Sequence, residues 1–228
     1  MSNPKDITIL VDIDDTIENL LQAWICCLNA QYGQHVNWWE VNDWDISKFY
    51  PGLTKYQVFE PLHQETFWYR VLPKYDATVY LRRLFDEGFN IYLCTSTDYR
   101  NVKPKYEAII KTYFPYIHWS KIIVTSNKQM IKADYLIDDG PHNLIGGSYK
   151  KILFSAPHNM NFDAEGNDMY RVTNWYSIYW LIHDLEDEKP EFKNKEAEEL
   201  YIKIRNNEKE ADRAKQENHD KYMEHGFA

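Results

Sequence analysis

The feature that most constrains the fold is a short apolar run that ends in a cluster of carboxylates. Residues 7–11 read Ile-Thr-Ile-Leu-Val, and Asp12, Asp14 and Asp15 follow within the next four positions. A strand this apolar is typical of the centre of a parallel sheet. Burying several like charges at its end is costly unless something neutralises them. The sequence therefore indicates a buried strand whose carboxyl end carries a compensated site.

Short apolar segments alternate with helical patterns along much of the chain. Leu81, Leu84 and Phe85 share one face of the helical pattern at Ala77–Glu87, and a second such pattern covers Val102–Phe114. This alternation predicts the α/β class, with a Rossmann-like parallel sheet flanked by helices. In such sheets the functional groups lie at the carboxyl ends of the strands. We predict strands at Ile7–Ile13, Asn90–Cys94, Lys121–Thr125, Tyr135–Ile137 and Lys151–Phe154.

Two regions interrupt this alternation. Residues 17–74 contain a helical pattern at Glu18–Tyr32 and many aromatic side chains, but no βαβ unit. We expect them to form a small helical cap that is inserted after the first strand and covers the site. Residues 186–228 are highly charged, which predicts a charged helical tail that is exposed or docked on a partner. The core domain would then comprise residues 1–16 and 75–185.

Composition limits the possible functions. The chain has 228 residues of which 44% are hydrophobic, so it can bury a sizeable core, and its net charge is −9. This charge disfavours stable binding to nucleic acid or to acidic membranes. Cys26, Cys27 and Cys94 do not have the spacing of a disulfide framework or a zinc site. Because we find neither a signal peptide nor an apolar run of about 18 residues, we expect a cytoplasmic protein without a membrane partner. A homo-oligomer is possible.

A second acidic pair suggests what the first cluster binds. The predicted strand Tyr135–Ile137 ends in Asp138 and Asp139, the predicted strand at 90–94 is followed by Thr95 and Ser96, and Lys128 lies ten residues before Asp138. In a parallel sheet, these strand ends can meet at one edge. Mg²⁺ prefers oxygen ligands and commonly takes one or two carboxylates together with a substrate phosphate. The pattern therefore predicts Mg²⁺ as the cofactor and a phosphate-bearing substrate.

These elements resemble the four motifs of the haloacid-dehalogenase-like (HAD) phosphohydrolase superfamily. They occur in its order: D-I-D-D-T at 12–16, a strand followed by Thr95, then Lys128, and D-D at 138–139. Four further segments resemble the 5'(3')-deoxyribonucleotidase family, namely C-T-S at 94–96, L-I-D-D at 136–139, P-H-N at 157–159 and R-V-T-N-W at 171–175. The resemblance covers roughly residues 6–185.

The resemblance implies a Mg²⁺-dependent phosphomonoesterase, most specifically a 5'-nucleotidase that acts on deoxyribonucleoside monophosphates. Asp12 would attack phosphorus to form an aspartyl-phosphate, and Asp14 would act as general acid and then general base. Thr95 and Ser96 would hold phosphate oxygens. Lys128 would offset the negative charge that Asp12 shares with the phosphoryl group.

The resemblance also implies the metal ligands. These would be Asp12, the backbone carbonyl of Asp14, and Asp139, whereas Asp138 would orient its neighbour or bind through water. Position 15 is Asp, where relatives often carry Gly or another small residue, so the metal edge would be more acidic than in those relatives.

Substrate contacts are expected from the cap. Trp44 stands in a polar stretch next to Asp45 and is the candidate for stacking on a base, and Leu20 is a second expected substrate-binding residue. Trp24 and Trp68 are expected to be core residues. His142 and His158 each lie in a Pro-His-Asn segment without a second His at ligand spacing. We expect them to stabilise their loops by hydrogen bonds rather than to bind metal.

Three other functions fit the same residues. The chain could be a HAD phosphatase of another small phosphate ester, such as a sugar phosphate. It could be a non-catalytic member that binds nucleotides or a partner protein, with the charged tail as the contact. It could also be a phosphatase of nucleic-acid ends, although its negative net charge weighs against this. A panel of substrates tested with and without Mg²⁺ distinguishes these functions.

Overall fold

A computed structural model describes residues 4–186 and 195–225. Its centre is one sheet of six parallel strands, in the order β3-β2-β1-β4-β5-β6. The strands are β1 (Thr8–Val11), β2 (Asn90–Thr95), β3 (Ile122–Val124), β4 (Tyr135–Asp138), β5 (Lys150–Phe154) and β6 (Met169–Val172). The predicted α/β class with a Rossmann-like parallel sheet is confirmed.

Five of the six strands coincide with predicted strands to within two residues at each end. The sixth, β6, was not predicted. Met169 and Val172 are buried whereas Tyr170 is exposed, and Arg171 interrupts the apolar character of the segment. A strand of four residues at the edge of the sheet therefore has no continuous apolar run by which to recognise it.

The helices flank the sheet and build the insertion after β1. In chain order they are α1 (Leu20–Tyr32), α2 (Lys55–Phe59), α3 (Glu65–Trp68), α4 (Tyr75–Glu87), α5 (Tyr99–Lys105), α6 (Lys111–Tyr113), α7 (Pro141–Leu144), α8 (Trp175–Glu186) and α9 (Lys195–His225). Among the described residues, no helix combines the length and the apolar character that crossing a membrane requires.

The helix predicted at Val102–Phe114 is not one regular helix. It begins earlier, as α5 at Tyr99, and it passes into a π-helical turn at Tyr106–Ile110 before α6. Pro104 lies inside α5. Proline cannot donate a backbone hydrogen bond and so weakens the regular pattern at this point.

The insertion after β1 leaves and rejoins the core through two adjacent segments. Lys74 N donates to Ile17 O over 2.9 Å, and Asn19 N donates to Leu72 O over 3.0 Å. Side chains of the insertion, including Trp68, belong to the same buried hydrophobic cluster as sheet residues such as Val11. The cap is therefore packed onto the core through a continuous apolar interface.

The charged C-terminal segment contains α9, whose described side chains contact the chain's own core. Asp212 accepts a hydrogen bond from Arg83 of α4 over 2.7 Å. Tyr176 of α8 donates to the backbone oxygen of Lys209 over 2.8 Å, and Lys209 pairs with Asp184 at 2.7 Å. The surface on which this segment docks is thus formed by α4 and α8 of the same chain.

Candidate active site

The site forms because β1 lies between β2 and β4 in the sheet. The loops that follow these three strands therefore emerge side by side at the carboxyl edge. Asp12 begins the loop after β1, and its backbone N–H donates to Ile137 O of β4 over 2.9 Å. Thr95 ends β2, and Asp138 ends β4. All three of these side chains are buried. The predicted meeting of the strand ends is what the structure shows.

Lys128 supplies the positive charge at this edge. It lies in a short 3₁₀ turn after β3 and is fully buried. Its Nζ contacts Oδ1 of Asp12 and donates to Oδ2 of Asp138 over 2.6 Å. Burial alone would lower the pKa of Lys128, but these two carboxylates raise it above its ordinary value. The ammonium therefore stays charged and bridges the first and second acidic motifs.

Asp138 and Asp139 have different surroundings. Oδ1 of Asp138 accepts hydrogen bonds from Gly140 N over 2.8 Å and from Asn143 Nδ2 over 2.9 Å, and its Oδ2 accepts from Lys128. Asp139 lines the cavity under the cap. A carboxylate with three donors is held in place, whereas the one that faces the cavity is placed to meet a ligand.

The carboxylates fit a hard divalent cation. Asp12, Asp138 and Asp139 each offer an oxygen, and these atoms lie within 4.8 Å of one another. Burial, followed by repulsion from neighbouring carboxylates, raises the pKa of Asp12 and of Asp139 well above the ordinary value, and Lys128 only partly opposes this. A single ammonium among three buried carboxylates leaves a deficit of positive charge. Mg²⁺ is the kind of ion that such oxygen donors accept.

Asp14 is held by a residue that sequence analysis missed. Lys105 of α5 donates through Nζ to Oδ1 of Asp14 over 2.7 Å and also reaches Oδ2, and it lies 3.4 Å from Thr95 Oγ1. Its side chain is only 3% exposed. The available signal was its position four residues before the buried Ile109, on the inward stripe of an otherwise apolar helical pattern.

Glu18 is a second residue that sequence analysis missed. Its side chain is fully buried, and neither carboxyl oxygen has a hydrogen-bond donor among the residues that the structure describes. Burial, and then the nearby Asp14 and Asp15, raise the pKa of Glu18 well above its ordinary value. An acid in this environment is stable in its protonated form.

Asp15 turns the chain from the site into the cap. Its φ of 54° is in the left-handed region, which glycine adopts at least cost and Asp tolerates. Both of its carboxyl oxygens accept from Leu21 N, at 3.1 and 3.2 Å. Asp15 thus stabilises the first turn of α1 while it also lines the cavity.

Two Pro-His-Asn segments support the acidic pair by hydrogen bonds. Asn143 donates to the Asp138 side chain, and Asn159 donates to the backbone oxygen of Asp139 over 2.7 Å. His158 also forms a hydrogen bond with the backbone of Asp139, as expected for a histidine that stabilises its loop. Its Nε2 atom lies 3.0 Å from Asp139 Oδ2, but this second contact lacks hydrogen-bond geometry.

The two histidines also contact Trp44 of the cap. The ring centroid of Trp44 lies 4.8 Å from that of His142 and 4.8 Å from that of His158, with near-perpendicular planes in both cases. Burial is the main cause that lowers the pKa of each histidine. Two neutral imidazoles at neutral pH therefore form the surface on which the cap residue Trp44 rests.

A cavity of about 500 Å³ lies between the cap and the strand ends. Its volume is in the range of small-molecule sites. The expected substrate-binding residues Ser96, Trp44 and Leu20 all line it, together with Asp12, Asp14, Lys128 and Asp139. The cap wall is largely apolar and the core wall is polar. Trp24 and Trp68 are core residues as predicted, and the indole N–H of Trp24 donates to Val58 O over 2.7 Å.

Comparisons with known proteins agree with this arrangement. Residues 5–187 match the family model described as 5'-nucleotidase, deoxy (pyrimidine), cytosolic type C protein. A 5'(3')-deoxyribonucleotidase from Bacillus subtilis is 32% identical over 172 residues, which cover 75% of this chain and 95% of that protein.

Solved structures with low sequence identity share the fold. A HAD family hydrolase from Deinococcus radiodurans with bound phosphate and sodium is 13% identical, covers 80% of this chain and 97% of its own, and has a TM-score of 0.55. The HAD-hydrolase YfnB from Bacillus subtilis bound to magnesium is 13% identical, covers 77% and 98%, and has a TM-score of 0.52. The chain is a phosphatase of the 5'-nucleotidase type and belongs to the 5'-nucleotidase, deoxy (pyrimidine), cytosolic type C family.

Proposed function

We propose that this chain is a Mg²⁺-dependent 5'-nucleotidase that releases phosphate from deoxyribonucleoside monophosphates through an aspartyl-phosphate. The observation that carries the proposal is the buried Asp12, which faces the cavity and is paired through Oδ1 with Lys128. A carboxylate held in this way can act as a nucleophile. The names of the relatives support the same substrate class.

In the first step, an oxygen of Asp12 attacks phosphorus and the bond from phosphorus to the ester oxygen breaks. Asp14 donates a proton to that leaving oxygen, so the products are the deoxynucleoside and an aspartyl-phosphate on Asp12. Lys128 offsets negative charge on Asp12 and the phosphoryl group. The phosphate would be positioned by Ser96, which lines the cavity, and by Thr95, which is buried at the end of β2.

In the second step, water attacks phosphorus and the bond between phosphorus and Asp12 breaks. Asp14, now ionised, accepts a proton from that water. The products are inorganic phosphate and the regenerated carboxylate of Asp12. One acid–base residue therefore serves both steps, which requires that its carboxyl group be held in one orientation.

The Mg²⁺ would be held by Asp12, Asp139 and the backbone carbonyl of Asp14. Asp138 is fixed beside them by its three hydrogen-bond donors. When bound, the ion supplies positive charge that neutralises the phosphate and orients it for in-line attack. The deficit of positive charge around the buried carboxylates supports this assignment, as does the magnesium in the structural neighbour.

The substrate class follows from the cap. Trp44 is 58% exposed and Leu20 is buried, and both line the cavity opposite the acidic edge. Stacking of a base on an aromatic side chain contributes about 1–3 kcal/mol. A phosphate held at the acidic edge would place an attached nucleoside against this apolar wall.

The test is phosphate release from a panel of deoxyribonucleoside monophosphates, ribonucleoside monophosphates and sugar phosphates. We expect deoxynucleotides to exceed glucose 6-phosphate by at least about tenfold in kcat/KM, roughly what one stacked base supplies. Equal efficiencies would refute the nucleotidase proposal in favour of a sugar phosphatase. No Mg²⁺-dependent release from any ester would favour a binding protein instead.

Trp44→Ala should narrow this difference, because it removes the stacking surface while the acidic edge stays intact. Trp39→Ala is the matched control, since Trp39 is a similarly exposed cap residue that does not line the cavity. If Trp44→Ala lowers kcat/KM equally for both substrates, Trp44 only seats the cap on the two histidines, and another residue binds the base.

A further inference from the structure

The ion pair between Lys105 and Asp14 is not explained by the four sequence motifs. Lys128 accounts for Asp12 and Asp138, yet a second lysine is buried nearby, with its ammonium on both oxygens of Asp14. Lysine is rarely buried unless it is paired, because taking an ammonium out of water is costly. The cost suggests that the pair serves the reaction and not only the fold.

The backbone around Lys105 is irregular where the side chain enters the site. Pro104 precedes it inside α5, and the π-helical turn Tyr106–Ile110 follows directly. Turns of this kind are rare and are frequently found at functional sites. The irregular segment places Lys105 on the inward side, next to the buried Ala108 and Ile109.

Lys105 also contacts the cap. Its Nζ lies 4.9 Å from the ring centroid of Trp68, a buried residue of α3. A cation over an indole face is attracted to it. The ammonium is thus held from three sides, by Trp68 of the cap, by Thr95 at the end of β2 and by the carboxylate of Asp14.

We propose that Lys105 is a positioning residue for Asp14, which fixes the carboxyl group that exchanges the proton and links its orientation to the seated cap through Trp68. This inference rests on the proposed function of Asp14. It assigns separate lysines to the two carboxylates of the first motif: Lys128 to the nucleophile Asp12 and Lys105 to the acid–base residue Asp14.

The inference predicts an effect that depends on the leaving group. A deoxynucleoside leaves as a strongly basic oxygen that needs the proton of Asp14, whereas p-nitrophenolate is weakly basic and leaves without it. Loss of the positioning residue should therefore slow the first step for a deoxynucleotide much more than for p-nitrophenyl phosphate. A purely structural role of Lys105 would slow both by the same factor.

The experiment measures the first turnover of Lys105→Met by rapid mixing with Mg²⁺ and each substrate. We expect deoxynucleoside release to fall by about 100-fold, the lower end of what general acid catalysis contributes, and nitrophenolate release to fall less than threefold. Only the first turnover is compared, because the second step needs Asp14 for both substrates. Lys111→Met is the matched control, since Lys111 is an exposed lysine of the adjoining helix that pairs with Glu107.

The deciding quantity is the fold-loss in deoxynucleoside release divided by the fold-loss in nitrophenolate release. This ratio does not depend on the fraction of active enzyme. A ratio above about fivefold supports the inference, and a lower ratio overturns it. If Lys105→Met does not fold, Lys105→Gln, which keeps one donor and no charge, is judged by the same ratio. Failure of the wild-type chain to release any deoxynucleoside would instead refute the proposed function, so the two failures are distinct.

Discussion

Ion pairs hold two regions of this molecule, the strand-end site and the surface where α9 meets α4 and α8. At the site, Lys128 is fully buried between Asp12 and Asp138. At the tail surface, Lys209 and Asp184 pair at 2.7 Å, with 30% and 49% of their side chains exposed. The partners are chemically alike, but the site is largely closed to water and the tail surface is partly open.

This difference in solvent access decides how much each ion pair contributes to stability. Removing one partner of a buried pair leaves an uncompensated charge and costs about 3–5 kcal/mol. An exposed pair contributes about 0–1 kcal/mol and weakens with salt. The buried pairs thus fix the position of the carboxylates at the strand ends, at a cost in desolvation. The tail pairs are several weak contacts, which hold a helix against the core.

The largest effect is expected from Asp12→Asn. The change keeps the size of the side chain and removes the charge of the attacking oxygen, so turnover of a deoxynucleotide should fall by several orders of magnitude while the protein stays folded. Phosphate release and circular dichroism measure the two properties. Asp86→Asn, at an exposed pair with Arg82, is the control. A folded Asp12→Asn chain with more than a tenth of wild-type activity would contradict the mechanism.

Metal removal tests whether the buried site needs more positive charge than Lys128 provides. Excess chelator should abolish activity, and Mg²⁺ at 100 times its Kd should stabilise the fold by about 2.7 kcal/mol, because it binds only the native state. Thermal unfolding with and without Mg²⁺ measures this. The stabilisation should be lost in Asp139→Asn and retained in Asp86→Asn. Full activity in excess chelator would show that no divalent ion is required.

Two substitutions compare the stability lost at a buried ion pair with the stability lost at a more exposed one. Lys128→Met should destabilise the chain by about 3–5 kcal/mol, since Asp12 and Asp138 lose their shared ammonium inside the protein. Lys209→Met, at the more exposed pair with Asp184, should cost about 1 kcal/mol or less. Urea unfolding of both variants gives the two values. Similar losses would mean that burial does not distinguish the two regions.

The smallest effect on activity is expected from removal of residues 195–228. The described contacts of α9 are with α4 and α8, and neither helix supplies a residue to the cavity wall, so kcat should stay within about twofold of the wild-type value. The melting temperature should fall, because Trp180 loses the cations of Arg205 and Lys209 that lie over its ring. An inactive truncated chain would show that the tail supports the site.

Much of the fold was predictable because its signals are local. The apolar run before Asp12 and the one before Asp138 each mark a buried strand, and Gly33 and Gly88 end the helices before them with left-handed φ values. The edge strand β6 was not predicted, because its four residues carry no continuous apolar run. The π-helical turn was not predicted either, because it lies inside a segment whose apolar pattern is that of a regular helix.

The candidate site, like the fold, contains some residues that the sequence predicts and others that it does not. Asp12, Thr95, Lys128 and Asp138 were predicted because each stands at the end of a recognisable strand or shortly before one. The asparagines that hold the acidic pair were not, although both stand in a Pro-His-Asn segment. Asparagine is common in loops, and nothing in the sequence shows which hydrogen bond it makes.

The sequence by itself determined which side chains end the central strands, and therefore that acidic groups, hydroxyls and a lysine gather at one edge of a parallel sheet. Only the tertiary structure decided how these charges are paired. Lys105 and Asp14 are 91 positions apart, and Lys128 and Asp12 are 116 apart. A strand is specified by the apolar pattern of adjacent residues, whereas an ion pair depends on chain segments that packing brings together, so its partners leave no local pattern to find.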